Sequence, residues 1–278
     1  MLYENAIAQM LVANGHKLYF YTHYSEEKHR NDIEIDLKRV KLSDDLQIEY
    51  DDEVYGYDCV LYLAEEDIEK VPAKQPFLTS SCCPAFVNLV KKYVPDAADK
   101  VSHTVSPMVA TGRWIKEQFP EAVTVFIGPC IAKKSEAKKY PEYIDYVLTF
   151  EEAMCLMEGK DIKVENVEAA EFERDGSKVG LGFPLAAGVT AAVNATVAAK
   201  GGSVRAAHYA SGVDKIVTDL TAVTKGEIDC SYFEGMACSN GCIDGPGTIG
   251  DFRLTKVALS KYAEVAPVTA AVNSKYTK

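Results

Sequence analysis

Two cysteines lie four residues apart in the segment Glu234-Gly-Met-Ala-Cys238-Ser-Asn-Gly-Cys242-Ile-Asp-Gly-Pro-Gly247, directly before a run rich in glycine. If this segment is helical, both thiols lie on one helix face, because residues four apart share a face. Gly241, Gly245 and Gly247 carry no Cβ and predict close approach of the backbone to a bulky non-protein group. Thiolates are the soft ligands of iron–sulfur clusters, usually four for each cluster. The segment therefore indicates half of a cluster site.

Two further segments carry cysteines in similar surroundings. They are Ser81-Cys82-Cys83-Pro84 and Gly128-Pro129-Cys130, the latter followed by Ile-Ala-Lys133-Lys134-Ser-Glu136. A single free cysteine is more often a small core hydrophobe, and Cys59, Cys155 and Cys230 keep that interpretation because they lie in apolar or strand-like runs. Three segments that each join cysteine to proline or glycine turns and charged neighbours favour metal ligation instead.

Composition excludes several classes of protein. The chain has 278 residues, 47% of them hydrophobic and 26% charged, which suits one large domain or two lobes. A formal net charge of −11 without a long basic run argues against nucleic acid or an anionic membrane surface as a partner. No apolar run is long enough for a transmembrane helix, and the N-terminus lacks the cationic lead of a signal peptide. Eight cysteines are sparse for a disulfide-rich secreted domain, so we expect a cytoplasmic protein.

Strands and helices alternate along the chain. The pattern predicts strands over 18–22, 59–63, 77–81, 123–127, 146–149 and 204–209, and helices over 1–16, 85–93, 107–119, 151–157, 189–199, 213–225 and 255–264. Such alternation is typical of α/β proteins with mainly parallel sheet. Two of the three cysteine segments follow the carboxyl end of a strand, where open sheets bind ligands. We therefore expect two lobes of parallel sheet flanked by helices, with the site buried between them.

Together the three segments resemble the signatures of the catalytic domain of [FeFe]-hydrogenases. The family's first signature matches Ser80-Ser81-Cys82-Cys83-Pro84, the second matches Pro129-Cys130-Ile-Ala-Lys133-Lys134-Ser-Glu136, and the third matches Glu234 to Gly247. They occur in the family's order, within residues 79–250. The resemblance implies a single catalytic domain over 1–278, with an atypical part at 1–76 and the three motifs within 77–250.

The resemblance implies an H-cluster, in which a [4Fe–4S] cube is joined to a [2Fe] subcluster that carries CO, cyanide and an azadithiolate. Its cube ligands would be Cys83, Cys130, Cys238 and Cys242, with Cys242 as the bridging thiolate. Lys133 would donate a charge-assisted hydrogen bond to an iron-bound cyanide, and Met236 would pack near the bridge. Ser81, Pro129 and Phe183 would line the cofactor pocket.

The resemblance also implies a proton path. Cys82 would pass protons between the azadithiolate amine and the protein, with Ser102 as the next hydroxyl. Glu66 and Glu69, three apart in an acidic helical turn, are the expected carboxylates, and Glu136 is a second candidate near the site. The ordinary interpretation of such an acidic turn is a solvated surface.

The chain also departs from the family pattern. It contains no Cys-x-x-Cys-x-x-Cys ferredoxin signature, so we expect a minimal catalytic form that receives electrons from a ferredoxin or a separate iron–sulfur subunit. Maturation proteins would supply the two-iron unit. The alternatives are a hydrogen sensor, a Nar1-like iron–sulfur assembly factor that lacks the two-iron unit, and a four-thiolate zinc protein. Retention of Cys82, Lys133 and Glu136 favours a hydrogenase that interconverts protons and H2.

Overall fold

The structure, a computed structural model, describes residues 71, 73–163, 166, 177–202 and 206–270. The elements predicted over 1–16, 18–22 and 59–63, and the carboxylates of Glu66 and Glu69, lie outside these residues. The described elements, in chain order, are β1 (Leu78–Thr79), α1 (Pro84–Tyr93), a 3-10 helix (Pro95–Lys100), α2 (Pro107–Gln118), β2 (Val125–Ile127), α3 (Ala132–Ala137), β3 (Tyr146–Leu148), α4 (Phe150–Gly159), α5 (Lys178–Leu181), α6 (Gly188–Ala199), β4 (Ala207–Ser211), α7 (Val213–Thr224), β5 (Tyr232–Met236), a 3-10 helix (Cys242–Asp244) and α8 (Phe252–Glu264).

The described strands form two parallel sheets. One has the order β1-β5-β4, in which Tyr232 is aligned with both Leu78 and Ala207. The other pairs β2 with β3, with Val125 opposite Tyr146. This arrangement confirms the predicted α/β class with parallel sheets flanked by helices. The central strand of the larger sheet, β5, is also the last of its strands in sequence.

The two faces of β5 pack against different helices. Phe233 and Gly235 face α1, where the rings of Phe233 and Phe86 stack with centroids 6.2 Å apart. A Cβ on Gly235 would lie 2.1 Å from the Phe86 ring, so only glycine fits at this position. The opposite face, which includes Tyr232 and Met236, packs in one apolar cluster with α6 residues.

The helix starts confirm the predictions from local sequence. Cys83 precedes Pro84 at the start of α1, and its Sγ accepts a hydrogen bond from the Phe86 N–H at 3.4 Å. Ser106 caps α2 ahead of Pro107 in the same way. Serine or a thiol before a proline satisfies free N–H groups while the proline presets the helical backbone.

Several predicted elements were wrong. The strand β5 was not predicted, although it lies at the centre of the larger sheet. The segment between Cys238 and Cys242 is a turn rather than a helix, because Gly241 adopts φ 81° and only Cys242–Asp244 forms a short 3-10 helix. The short helix α5 was not predicted either. Helix α8 starts three residues earlier than expected, at Phe252, because Asp251 caps it.

Among the helices that the structure describes, none combines the length and the apolar character needed to cross a bilayer.

Candidate metal centre

The first cysteine motif is fixed to the central strand. Ser80 N–H donates to the Phe233 carbonyl at 2.9 Å, and the Gly235 N–H donates to Ser80 Oγ at 3.2 Å. Cys83 follows directly and caps α1, so its sulfur faces the positive end of a helix.

All three cysteine motifs follow the carboxyl end of a parallel strand. Cys82 and Cys83 follow β1, Cys130 follows β2, and Cys238 follows β5. Sequence reasoning identified only two of these placements because it missed β5. The carboxyl edges of parallel sheets are where α/β proteins bind ligands, and here the edges of both sheets contribute.

Backbone contacts join the second and third motifs. The Gly247 N–H donates to the Pro129 carbonyl at 2.8 Å, and a Cβ on Gly245 would lie 2.5 Å from that same oxygen. A Cβ on Gly241 would lie 2.6 Å from the Pro184 carbonyl oxygen. At Gly241 and Gly245 neighbouring protein backbone occupies the space of a Cβ, and the expected approach to a non-protein group stays a prediction.

Four cysteine thiols influence one another electrostatically. Burial, followed by Cys130 and Cys83, raises the pKa of Cys238 to about 11. Burial also raises the pKa of Cys242, with further contributions from Cys83, Cys130 and Cys238. Because Coulomb interactions weaken with distance, these contributions favour a common site for the four predicted ligands, which stays a prediction.

The four predicted ligands supply the donor set of an iron–sulfur cube, four thiolates. Within the described residues, no three His, Cys, Asp or Glu side chains are grouped closely enough to hold a single metal ion. A cubane cluster instead takes one thiolate on each of its irons. Binding must also displace the thiol protons that burial retains, and the positive charge of the irons provides that driving force. The four thiols therefore fit the cube expected from the sequence.

Lys133 and Glu136 form a buried ion pair beside this centre. Lys133 Nζ lies 2.6 Å from Glu136 Oε2 and donates to the Cys82 carbonyl at 3.3 Å. The Ser106 hydroxyl donates to the same carboxylate oxygen at 3.1 Å. Burial alone lowers the pKa of Lys133, but Glu136 and nearby thiols outweigh it and the pKa is raised overall. The ammonium therefore stays charged next to Cys82.

Cys82 lies in the apolar part of the site. It packs against the cluster that contains Val189 and Met236, where Phe183 and Cys242 also pack. Burial raises its pKa well above the ordinary value, and Cys83, Cys242 and Glu234 add to the shift. The side chain is therefore a neutral thiol that carries a proton. The structure thus brings Cys82, Met236 and Phe183 together with a predicted ligand.

The two predicted serines lie next to β1. The Ser81 hydroxyl donates to the Thr104 carbonyl at 2.5 Å. Ser102 is buried, its N–H donates to the Thr79 carbonyl at 3.0 Å, and its hydroxyl accepts from the Thr104 N–H at 3.0 Å. The Ser81 side chain and the Ser102 backbone N–H therefore hold the segment after Val101 against the strand that leads to Cys82.

Sequence reasoning missed two contributors to the site. The Pro184 carbonyl accepts a hydrogen bond from the Cys242 N–H at 2.8 Å, and no sequence signal indicates this backbone contact. Glu234 was quoted in the third motif without a role, yet its side chain is buried and its carboxylate accepts from the Thr190 N–H at 2.6 Å. A charged residue inside an apolar strand is the signal that could have identified it.

We expect Lys133→Met to lower the free energy of unfolding by about 3 kcal/mol, because it leaves the Glu136 carboxylate buried without its cation. Urea denaturation of the metal-free chain measures this change. The matched control is Lys134→Met, since Lys134 pairs with Glu152 in a more exposed position, where an ion pair contributes at most about 1 kcal/mol. Equal losses in the two variants would contradict a structural role for the buried pair.

The sequence matches a known protein family over most of its length. The family model described as "Iron only hydrogenase large subunit, C-terminal domain" matches residues 51–246. Iron hydrogenase 1 of Clostridium pasteurianum is 24% identical over 245 residues, which cover 69% of this chain and 42% of that protein. The chain thus spans about two fifths of the length of this relative.

A protein of another kind also matches. The cytosolic Fe-S cluster assembly factor NAR1 of Kluyveromyces lactis is 30% identical over 91 residues, which cover 32% of this chain and 19% of that protein.

The fold is similar to that of solved proteins. Apo [FeFe]-hydrogenase HydA1 from Chlamydomonas reinhardtii superposes with a TM-score of 0.59 at 16% sequence identity, covering 81% of this chain and 77% of that chain. At this level of identity the likeness concerns the fold.

Proposed function

The chain belongs to the family of iron-only hydrogenase large subunits, C-terminal domain, and from that premise we propose that it is an [FeFe]-hydrogenase that interconverts protons and H2. The observation that carries the proposal is the partly buried thiol of Cys82, which lies beside the proposed cube ligand Cys83 and packs on the same apolar cluster as Cys242. A bare cube has no use for a protonated thiol in this place.

The chain's residues divide between two parts of the proposed H-cluster. The ligands of the [4Fe–4S] cube would be Cys83, Cys130, Cys238 and Cys242. Cys242 would also bridge to the [2Fe] subcluster, whose pocket would be lined by Phe183, Met236 and Lys133. When bound, the two-iron unit with its CO, cyanide and azadithiolate ligands supplies the hydrogen chemistry, while the protein positions and insulates it.

In this proposal Cys82 holds the proton nearest the reacting centre. Its burial keeps the thiol neutral, so it can donate a proton and then recover one. Glu136 is the buried carboxylate of the Lys133 pair, and its hydrogen bond from Ser106 extends the polar contacts toward α2. Ser102 remains the proposed hydroxyl next to Cys82, and Glu66 and Glu69 remain predictions.

Exposed residues that follow the proposed cube ligand Cys130 in sequence suit the binding of an electron donor. Ile131 directly follows Cys130 and is 55% exposed, and Lys138 and Lys139 are exposed shortly after it in sequence. An apolar residue with nearby lysines favours an acidic partner. We therefore propose a ferredoxin-type protein as donor, with maturation proteins supplying the two-iron unit and the reducing cytoplasm as the compartment.

We expect Lys138→Glu combined with Lys139→Glu to raise the KM for a reduced ferredoxin about tenfold, because the reversal replaces attraction by repulsion. The rate with the small dye methyl viologen should stay unchanged. Steady-state H2 production at low ionic strength measures both. The control reverses Lys256 and Lys261, which are exposed on α8. If the control raises KM as much, net charge rather than the position of Lys138 and Lys139 determines donor binding.

The match to NAR1 supports a second candidate, an iron–sulfur assembly factor that binds a cube without the two-iron unit. Infrared spectroscopy separates the candidates. The protein is prepared without oxygen, loaded with iron and sulfide, and incubated with a synthetic two-iron precursor. CO and cyanide bands that shift under H2 are expected for the hydrogenase. A cube that forms without those bands would establish the assembly-factor alternative.

A further inference from the structure

Glu234 is a buried acid on an apolar face. It lies on β5 between Tyr232 and Met236, which both pack in the apolar cluster formed with α6. Its exposed fraction is 1%. A buried carboxylate is costly unless hydrogen bonds compensate it, so its partners indicate what it does.

Those partners belong to the first turn of α6. Glu234 Oε2 accepts from the Thr190 N–H at 2.6 Å. Burial raises the pKa of Glu234, whereas the N–H groups of Thr190, Ala187 and Val189 lower it. The cap residue of α6, Ala187, offers no side-chain hydrogen bond of its own. Glu234 therefore caps this helix from a neighbouring strand, as an Asp or Ser normally does from within the chain.

The capped turn ends a tightly folded loop, residues 182–187. Ala187 adopts φ 66°, a left-handed conformation that is unfavourable for a residue with a Cβ. A Cβ on Gly188 would lie 2.1 Å from the Gly182 carbonyl oxygen, so the loop closes on itself. Such a backbone persists only where its surroundings hold it.

The other side of the loop contacts the third cysteine motif. The Pro184 carbonyl accepts the Cys242 N–H at 2.8 Å, and Leu185 forms a bridge with Gly241. We propose that Glu234 is a positioning residue, whose carboxylate caps α6 and thereby holds the 182–187 loop against the backbone of Cys242. The inference rests on the proposed function only in that Cys242 is taken as a cluster ligand.

Hydrogen–deuterium exchange of the full chain, without its cluster, tests the proposal. Glu234→Ala should speed exchange about tenfold both at the start of α6 and in the peptide that contains Cys242. The control Thr196→Val also changes a buried side chain of α6, by removing a hydroxyl bond to Ala192, and should leave the Cys242 peptide unchanged. An unchanged Cys242 peptide in Glu234→Ala would overturn the proposal.

Two conservative variants show whether the length or the charge of the Glu234 side chain matters. They also keep the proposal testable if Glu234→Ala does not fold. Glu234→Gln keeps the length and an acceptor oxygen, and one oxygen suffices because Oε1 has no hydrogen-bond partner among the residues that the structure describes. Glu234→Asp keeps the charge but is one methylene too short. A positioning role predicts that the exchange rates of Glu234→Gln stay within about threefold of the wild type. It also predicts that Glu234→Asp exchanges as fast as Glu234→Ala. The reverse order would assign Glu234 a role through its charge and overturn positioning. Exchange does not depend on the two-iron unit, so missing CO and cyanide bands would reject the proposed function and leave this result standing.

Discussion

Cys82→Ser is expected to lower H2 production at least about 100-fold, because a positioned proton donor contributes roughly 10²–10⁴-fold to the rate. Serine preserves the size of the side chain, but its hydroxyl gives up a proton far less readily than a thiol. Val189 and Met236 pack around residue 82, and these apolar side chains do not make a serine hydroxyl more acidic. Gas chromatography of the H2 produced at a saturating concentration of the dye measures the steady-state rate.

The loss of rate supports a role in proton transfer only if Cys82→Ser still binds the cofactor. Iron content and the CO and cyanide bands of Cys82→Ser should match those of the wild type, since Cys82 is not among the proposed ligands. Cys155→Ser is the control, because Cys155 is exposed and lies outside the three motifs. Activity within about twofold of wild type in the Cys82 variant would remove this thiol from the proton path.

Cys242→Ser should abolish the CO and cyanide bands altogether. Serine oxygen is a harder and poorer ligand for the iron of such clusters than a thiolate, and Cys242 is the proposed covalent link to the two-iron unit. Infrared spectroscopy and iron analysis after incubation with the synthetic precursor measure the loss. The cube should form at reduced yield, because the other three ligands remain.

The matched control for this variant is Cys230→Ser. Cys230 is buried, and its thiol donates to the Tyr232 carbonyl at 3.1 Å, a bond that a serine hydroxyl can replace. Full bands are expected in this control. Bands that persist in Cys242→Ser would show that another residue carries the link.

Local chemistry explains what the sequence could predict. Cys83-Pro84 and Ser106-Pro107 start helices because a side-chain acceptor and a preset backbone operate within one turn. The prediction that the cysteine motifs meet came from the rule that ligands bind at the carboxyl ends of parallel strands, applied to two lobes that face one site. These predictions needed only neighbours in sequence or a general property of sheets.

Tertiary contacts explain the failure at β5. Glu234 and Gly235 are poor strand residues by propensity, so the segment does not resemble a strand. The Phe86 ring requires the glycine, and the start of α6 compensates the glutamate. Both partners come from distant parts of the chain and cannot be identified from the strand itself.

The sequence indicates only part of the interaction between Lys133 and Glu136. Their spacing of three residues allows contact on a helix, and the structure contains an ion pair between them. Its burial depends on Cys82 and Ser106, which belong to other elements. Sequence spacing identifies partners of this kind, but it does not show whether the ion pair is buried.

The central place of β5 also orders events during translation. Among the described strands, β1 and β4 pair with β5 and not with each other, so the larger sheet stays open until residues 232–236 have left the ribosome. Cys238 and Cys242 emerge later still, after Cys83 and Cys130 have long been available. A strand cannot pair until its partner has been synthesised, and pairing over a long sequence separation is slow. Cluster insertion therefore follows synthesis of this whole region, and nascent chains that stop before β5 present only two of the four thiols.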